Sequence, residues 1–228
     1  MGMENEPEFR YACSMKATAK PSNVDRIARV HIALNHMKPA IWRRVEVPLT
    51  TSLRGLHEVI QAAMLFENYH LFQFDVIVAD ETRHYGMPDP DGDDWIKIVD
   101  AKNVKLGSLV ERDVKLLSYT YDFGDNWEHT ITIEETGMAD PAIDYPRFIE
   151  GERRAPPEDV GGIPGFEEFL DAMKKPHHPE RKQMLGWYGG VFQPEEIDVP
   201  KITRNIAKLA RRRAIGKAAF AKSKGRTS

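Results

Sequence analysis

Cysteine is nearly absent from this chain, whose 228 residues include only Cys13. A single cysteine excludes an internal disulfide and any zinc site built from several thiolates. Long hydrophobic runs are also missing, since no stretch approaches the roughly 18 apolar residues that a membrane-spanning helix requires. The segment from Met1 to Glu8 lacks the basic and apolar regions of a signal peptide. We therefore expect a cytoplasmic protein that does not enter a membrane.

Negative charge is absent from the end of the chain, although the whole chain has a net charge of −3. Ten of the 32 Lys and Arg residues, and none of the 35 Asp and Glu residues, lie from Lys201 onward. The end therefore has a charge of +10 and the preceding part a charge of −13. Such a segment either contacts the phosphates of a nucleic acid or folds back on its own acidic body. The residues expected to contact nucleic acid are Lys208, Arg211, Arg212, Arg213 and Lys217.

Hydrophobic periodicity predicts the secondary structure. Alternating apolar residues predict strands at residues 30–34, 41–47, 71–79, 115–121 and 127–134. Spacings of three and four predict helices at residues 53–64, 166–173 and 178–187, and a last basic helix with Ile202, Ile206 and Leu209 on one face.

The order of these elements predicts the fold class and the domains. Strands grouped with helices, rather than alternating strictly with them, predict an α+β fold with an antiparallel sheet and helices packed against it. A hydrophobic content of 41% suffices for one core and one domain. We expect a flexible leader at residues 1–26, the domain at residues 27–200, and a basic C-terminal helix or tail at residues 201–228.

Standard catalytic and cofactor motifs are absent. His57-Glu-Val-Ile-Gln61 lacks the second histidine of a zinc-protease helix, and Asp89 to Asp94 has its glycine at the wrong place for a calcium loop. Phosphate-binding glycine loops and the nucleophile elbow of hydrolases are missing too. The sequence therefore predicts no cofactor and no established metal motif.

Two segments nevertheless concentrate acids, histidine, glycine and aromatic residues. The first, Tyr121 to His129, predicts a hairpin turn in which Asp122 and Asp125 either cap the backbone or act as functional carboxylates. The second, Gly151 to Gly162, has a rigid Pro-Pro entry and a flexible Gly-Gly exit. Two carboxylates between them, Glu158 and Asp159, either cap the backbone or hold a divalent cation.

Strand and helix positions predict where the remaining candidates point. His57 lies on the apolar face of its helix, and His129 shares a strand face with Trp127, so both histidines should be hydrogen-bonded core residues. Arg43 and Arg44 should point to opposite faces, and the inward arginine would need a carboxylate partner from the two segments. The full set of candidate pocket residues is Arg43, Arg44, His57, His70, Asp122, Asp125, Trp127, His129, Glu158 and Asp159.

Five motifs in order give a resemblance to a known family: Pro39 to Arg44 with Val47-Pro48, Leu56-His57 with Ile60-Gln61, His70 to Phe74, Tyr119 to His129, and Pro156 to Gly162. Over residues 27–200 the chain resembles the plasmid pRiA open-reading-frame-three-like family, which includes proteins of mobile elements. The resemblance implies an α+β domain with an antiparallel sheet and no established activity. Relatives often have cysteines and a second histidine where this chain has Ala155, Val160 and Phe72.

Two functions from different classes compete at this point. The favoured hypothesis is a non-enzymatic binding module associated with plasmids or mobile elements, whose basic tail contacts a nucleic acid or a protein partner. The alternative is a metal-assisted hydrolase or nuclease in which the candidate histidines and carboxylates converge on one pocket. Whether those side chains share a cleft separates the two hypotheses.

Overall fold

A computed structural model describes residues 22–88 and 97–224 of the chain. Within these residues, eight strands form one sheet in the order β5-β4-β3-β6-β7-β1-β2-β8, and every neighbouring pair is antiparallel except β4 and β5. The strands are β1 (Arg26–Leu34), β2 (Ile41–Pro48), β3 (Phe72–Val78), β4 (Glu81–Gly86), β5 (Ile98–Asp100), β6 (Leu116–Tyr121), β7 (Trp127–Met138) and β8 (Arg147–Glu152).

Helices accompany the sheet, which makes the fold α+β as the sequence predicts. They are α1 (Leu53–Met64), α2 (Leu106–Val110), α3 (Gly162–Lys174), α4 (Arg181–Tyr188) and α5 (Val199–Lys224). Helix α1 begins after Ser52, whose side chain accepts a hydrogen bond from the Gly55 amide at 3.1 Å. Such a cap satisfies an amide that has no partner within the helix.

The core lies between the inner face of the sheet and α1. The apolar stripe of α1, which includes Leu53, Leu56 and Ile60, is completely buried. Helix α5 packs on α1 and β8, with Ile202 and Ile206 buried, which confirms the predicted apolar face of the basic helix. Because Ile202, Ile206 and Ala210 are buried, the first half of α5 packs against the folded body.

The predicted hairpins β1–β2 and β6–β7 are confirmed, but periodicity missed four elements: β4, β5, β8 and α2. Strands β4 and β8 carry mainly polar, partly exposed residues, so neither shows the alternation of a half-buried strand. Strand β5 and helix α2 are only 3 and 5 residues long, too short for either period to develop.

The outer face of the sheet carries ion pairs. Arg44 bonds to Glu134 at 2.7 and 2.8 Å and also to Glu150, while the buried Glu46 carboxylate bridges Arg29 and Arg147 at 2.9 and 2.6 Å. Arg44 therefore lies on the face opposite the core. Among the helices of the described residues, none combines the length and apolar character needed to cross a membrane.

Several predicted features lie outside the described residues: most of the leader with Cys13, the acidic loop Asp89 to Asp94, and the last residues of the tail, 225–228. The division into leader, domain and tail stays a prediction. A short 3₁₀ turn, Asn23–Asp25, leads directly into β1.

Candidate functional site

The loop before α3 closes over the β6–β7 hairpin, so the two segments that stand out in the sequence are in contact. The Gly161 amide donates to Asp125 Oδ2 at 3.2 Å. Gly162 has φ +66, and a Cβ placed on it would lie 2.5 Å from the Asp125 carbonyl oxygen. Only glycine tolerates both that backbone conformation and that approach, which explains the glycine at the end of the loop.

This contact brings together the side chains of His70, Asp122 and Glu158. His70 precedes β3, Asp122 follows β6, and Glu158 lies in the loop before α3. One ligand atom from each residue lies within 4.8 Å of the other two. From His70 Nε2 the distances are 3.3 Å to Asp122 Oδ2 and 3.9 Å to Glu158 Oε2. We call these three residues the His-Asp-Glu cluster.

The Asp122 side chain is buried and the Glu158 side chain is 7% exposed, and the two carboxylates differ in their hydrogen bonds. Asp122 Oδ1 accepts from the Gly124 amide at 2.9 Å, the turn cap expected from the sequence. Glu158 Oε1 accepts from the Glu67 amide at 2.6 Å and from the Tyr121 hydroxyl at 3.1 Å. Glu158 Oε2 is buried and, among the described residues, has no hydrogen-bond partner. Burial raises the pKa of this carboxyl group.

Asp159 forms the exposed rim of the cluster. His70 Nε2 donates to Asp159 Oδ1 at 3.1 Å, and the Tyr69 hydroxyl donates to Asp159 Oδ2 at 2.7 Å. The bond to Asp159 raises the pKa of Tyr69. Asp159 and Asp122 both have φ +56, in the left-handed region that side chains other than glycine seldom adopt. Such conformations often occur at functional sites, where the surrounding contacts hold them.

The spacing of the cluster fits a divalent cation. Ligand atoms around one cation are about 3.0 to 3.4 Å apart when each metal–ligand bond is about 2.1 Å long. His70 Nε2 and Asp122 Oδ2, at 3.3 Å, have this separation, and Glu158 Oε2 is within a small side-chain adjustment of it. One imidazole nitrogen with two carboxylates suits Mn²⁺ or Zn²⁺ better than Ca²⁺, which prefers oxygen ligands only.

His57 and His129 do not belong to the cluster, and both are buried core residues as the sequence predicts. The Tyr119 hydroxyl donates to His57 Nδ1 at 2.8 Å, and His57 Nε2 donates to Asn68 Oδ1 at 2.6 Å. His129 Nδ1 donates to the carbonyl oxygen of Trp127 at 2.9 Å. Trp127 is itself completely buried, and the structure does not bring it to the cluster. Burial lowers the pKa of each histidine to about 4.

The expectation of a carboxylate partner for Arg43 is wrong. Its Nε donates to the Ala63 carbonyl at 2.9 Å, and its Nη1 donates to the carbonyls of Trp42 and Glu152 at 2.7 and 2.8 Å. Within the described residues no carboxylate lies in ion-pair distance, and burial lowers the pKa of Arg43 to about 10. Backbone carbonyls at strand and helix ends replace the carboxylate, because a guanidinium has five donors that can reach several carbonyls.

A cleft of about 430 Å³ opens beside the cluster. Glu158 and Asp159 line one side of it, and Arg43, Arg154, Trp187 and Lys201 are among the other lining residues. Clefts of this size accommodate small organic ligands. A ligand in the cleft would therefore meet the cluster at Glu158, with Asp159 beside it.

The basic residues of α5 separate into two groups. Arg212 bonds to Glu58 and Arg213 donates to Thr50 at 2.8 Å, so these two fold back on the body, one of the alternatives that the charge pattern allows. Lys208, Arg211 and Lys217 are exposed to solvent.

Comparison with known proteins assigns the chain. The sequence model of the family described as plasmid pRiA4b ORF-3-like protein matches residues 26–201. The chain belongs to the plasmid pRiA4b ORF-3-like family. A curated relative, the uncharacterized protein y4hQ of Sinorhizobium fredii (strain NBRC 101917 / NGR234), is 40% identical over 167 residues, which cover 73% of this chain and 82% of the relative.

A solved structure supports the same family fold. The protein of unknown function MM3350 from Methanosarcina mazei Go1 is 34% identical, with a TM-score of 0.72 over 78% of this chain and 96% of that one. For this pRiA4b ORF-3-like chain, the resemblance inferred from the five motifs is therefore confirmed.

Sequence reasoning missed several residues around the cluster of this pRiA4b ORF-3-like chain. Tyr69 and Tyr121 bond to the loop carboxylates, and Arg154, Trp187 and Lys201 line the cleft. The two tyrosines are adjacent in sequence to His70 and Asp122, and that adjacency was a signal available from the sequence. The cleft residues come from segments between and after the motifs, where the sequence gives no such signal.

Proposed function

We propose that the protein is a metal-assisted hydrolase whose divalent cation binds in the His-Asp-Glu cluster. The observation that supports this proposal is Glu158 Oε2, a buried carboxylate oxygen with no hydrogen-bond donor among the described residues, aimed at His70 and Asp122. A buried charge without a partner is costly, so the oxygen requires a proton or a cation. A cation there would also bind Asp122 Oδ2, and it would bind His70 Nε2 in place of the proton that this nitrogen donates to Asp159.

The ligand count favours hydrolysis over a structural metal. Three protein ligands leave coordination positions for water and for a substrate oxygen. A cation held by His70, Asp122 and Glu158 would supply Lewis-acid activation of a water molecule. Asp159, on the rim, would accept the proton from that water as it attacks an ester, and would return the proton to the departing oxygen.

Cation binding is tested by thermal unfolding and calorimetric titration with Mn²⁺, Zn²⁺, Mg²⁺ and Ca²⁺. A cation at about 100 times its dissociation constant stabilises the native state by about 2.7 kcal/mol, which raises Tm by roughly 5 to 11 °C for a chain of this size. We expect Mn²⁺ or Zn²⁺ to give this shift and Ca²⁺ to give less. Hydrolysis of chromogenic phosphate and carboxylate esters, with and without the cation, tests the reaction itself.

The variant Glu158→Gln separates a cation from a proton at Glu158. Gln has the shape of the protonated acid, so the variant should fold normally but lose the Tm shift and the hydrolysis. Glu167→Gln, on an exposed position of α3, makes the same change away from the cluster and should keep both. A variant Glu158→Gln that binds the cation as tightly as the wild type would refute the proposal.

A second candidate function, contact with nucleic acid, is supported by the exposure of Lys208, Arg211 and Lys217 on α5. Phosphate contacts are strongest at low salt, so gel retardation of DNA and RNA at about 50 mM salt is the test. Replacing the three residues with alanine should abolish retardation, whereas Arg212→Ala, which removes a side chain paired with Glu58, should weaken it less. Retardation that is unchanged in the triple variant would exclude this function for α5.

A further inference from the structure

Among the residues that the structure describes, Arg43 is a buried cation that forms no ion pair with a carboxylate. Arg43 is 1% exposed, and its three hydrogen bonds all go to uncharged backbone carbonyls. Arg43 also lines the cleft. A buried cation without a carboxylate partner favours an anion in the adjacent space. The nearest space large enough for one is the cleft.

Two further cations line the cleft. The Arg154 Nη1 donates to the Tyr188 hydroxyl at 3.1 Å, and its guanidinium lies 5.6 Å from the centre of the Phe192 ring. Arg154 Nη2 also forms an ion pair with Glu196 Oε2 at 3.7 Å. These contacts hold Arg154 in a fixed orientation. Lys201, in the first turn of α5, is exposed to solvent and can reach a ligand. Three basic and four acidic side chains line the cleft, so a divalent cation at Glu158 changes the net charge of the lining from negative to positive.

An aromatic surface completes the lining. Trp187 is 48% exposed, an unusual exposure for so large an apolar side chain, and it lines the cleft. Its indole packs edge-on against Phe169, with ring centres 5.8 Å apart, so the ring is held while one side stays accessible. A planar group of a ligand can stack on this ring.

We propose that the cleft is the substrate site and that it takes a small organic phosphate with a planar aromatic group, the chemistry of a nucleoside monophosphate. The inference rests on the proposed function, because the phosphate lies between the cation of the cluster and the guanidinium of Arg43. The aromatic group lies against Trp187. Lys201 contributes a second contact to the phosphate from α5.

The probe for this site is adenosine monophosphate, titrated calorimetrically into the full chain saturated with Mn²⁺. Ribose 5-phosphate has the phosphate without the base and should bind roughly 5-fold or more weakly, because stacking on one aromatic ring contributes on that scale. Without Mn²⁺, adenosine monophosphate should bind at least about tenfold more weakly, since the side chains lining the cleft then have a net negative charge that repels the phosphate.

One pair of variants and one single variant test the residues. Lys201→Glu should weaken adenosine monophosphate binding at least about tenfold, whereas Lys222→Glu, the same charge reversal on an exposed position of α5 that does not line the cleft, should change it less than threefold. Trp187→Ala should remove the preference for adenosine monophosphate over ribose 5-phosphate. Thermal unfolding of each variant identifies any loss of binding that results from a loss of folding.

The outcomes separate this inference from the proposed function. If Mn²⁺ binds in a Glu158-dependent way but neither phosphate binds, or Lys201→Glu and Lys222→Glu behave alike, the substrate site is wrong and the metal site stands. If Mn²⁺ does not bind, and adenosine monophosphate binds in a Lys201-dependent way, the metal site is wrong and the claim of a cation-bridged phosphate falls with it. Mn²⁺-dependent binding of adenosine monophosphate that is weakened by the changes at Lys201 and Trp187 supports both the metal site and the substrate site.

Discussion

Acid should unfold this protein through two buried histidines. His57 and His129 are 4% and 0% exposed, and burial lowers the pKa of each to about 4 from an ordinary value of 6.5. Both are neutral in the native state. His57 accepts from the Tyr119 hydroxyl and donates to Asn68, and the second nitrogen of His129 has no hydrogen-bond partner among the described residues. A proton added to either ring would place a charge in the core, where burial disfavours it.

The sign and size of the effect follow from these pKa values. Between pH 6.5 and pH 4 the unfolded chain binds the protons and the native state does not, so stability falls as the pH falls through this window. From pH 7 to pH 5, a shift from 6.5 to about 4 lowers the free energy of unfolding by about 2 kcal/mol per histidine, or about 4 kcal/mol for both. Below pH 4 the loss from the histidines levels off.

Urea unfolding followed by tryptophan fluorescence, at pH 7 and at pH 5, measures this difference. In His129→Asn the amide keeps the donor to the Trp127 carbonyl but does not titrate, so the difference between the two pH values should shrink by about 2 kcal/mol. Ile131→Ala, on the same face of β7, removes buried volume without removing a titratable group. It should lower stability equally at both pH values. A pH difference in His129→Asn equal to that of the wild type would refute the reasoning.

Two further predictions use matched pairs of variants. Arg43→Met should lower the free energy of unfolding by about 3 kcal/mol in urea titrations, because buried carbonyls lose their donors. Arg44→Met, on the outer face, should lower it by about 1 kcal/mol or less. Equal losses in the two variants would show that the hydrogen bonds from Arg43 to the carbonyls do not contribute to stability. Gly162→Ala should lower Tm by several degrees, because residue 162 has a positive φ and lies close to Asp125. Gly186→Ala, in α4 with open space around it, should raise the free energy of unfolding by up to about 1 kcal/mol. A Gly162→Ala protein as stable as the wild type would contradict the close contact between loop and hairpin.

The sequence predicts the parts of this fold that alternate between apolar and polar residues. Strands β1, β2, β3, β6 and β7 and helix α1 have one buried face each, and that face is visible as a period of two or of about 3.6. The orientation of His129 follows from the same rule, since it shares the buried face of β7 with Trp127. Strands β4 and β8 have no fully buried face, so periodicity could not identify them.

The candidate site was predictable only as a set of residues and not as an arrangement. Composition singled out His70, Asp122, Glu158 and Asp159, but it equally singled out His57, which bonds to core partners instead. The contact between Gly162 and the turn at Asp125 determines which of these side chains meet. It is a tertiary contact, and no periodic pattern in the sequence indicates it. The partner of Arg43 was mispredicted for a related reason. Backbone carbonyls are not visible as acceptors in a list of residue types.

The three members of the cluster come from segments far apart in the chain, before β3, after β6 and before α3. An unfolded chain therefore has no pre-formed version of this site, and a ligand that bridges the three side chains holds three distant pieces of backbone together. Amide hydrogen exchange would then slow at all three segments by a common factor when the ligand is added, and it would speed up at all three when a chelator removes it. In this architecture, opening of the loop that carries Glu158 and Asp159 would separate both carboxylates from His70 and Asp122.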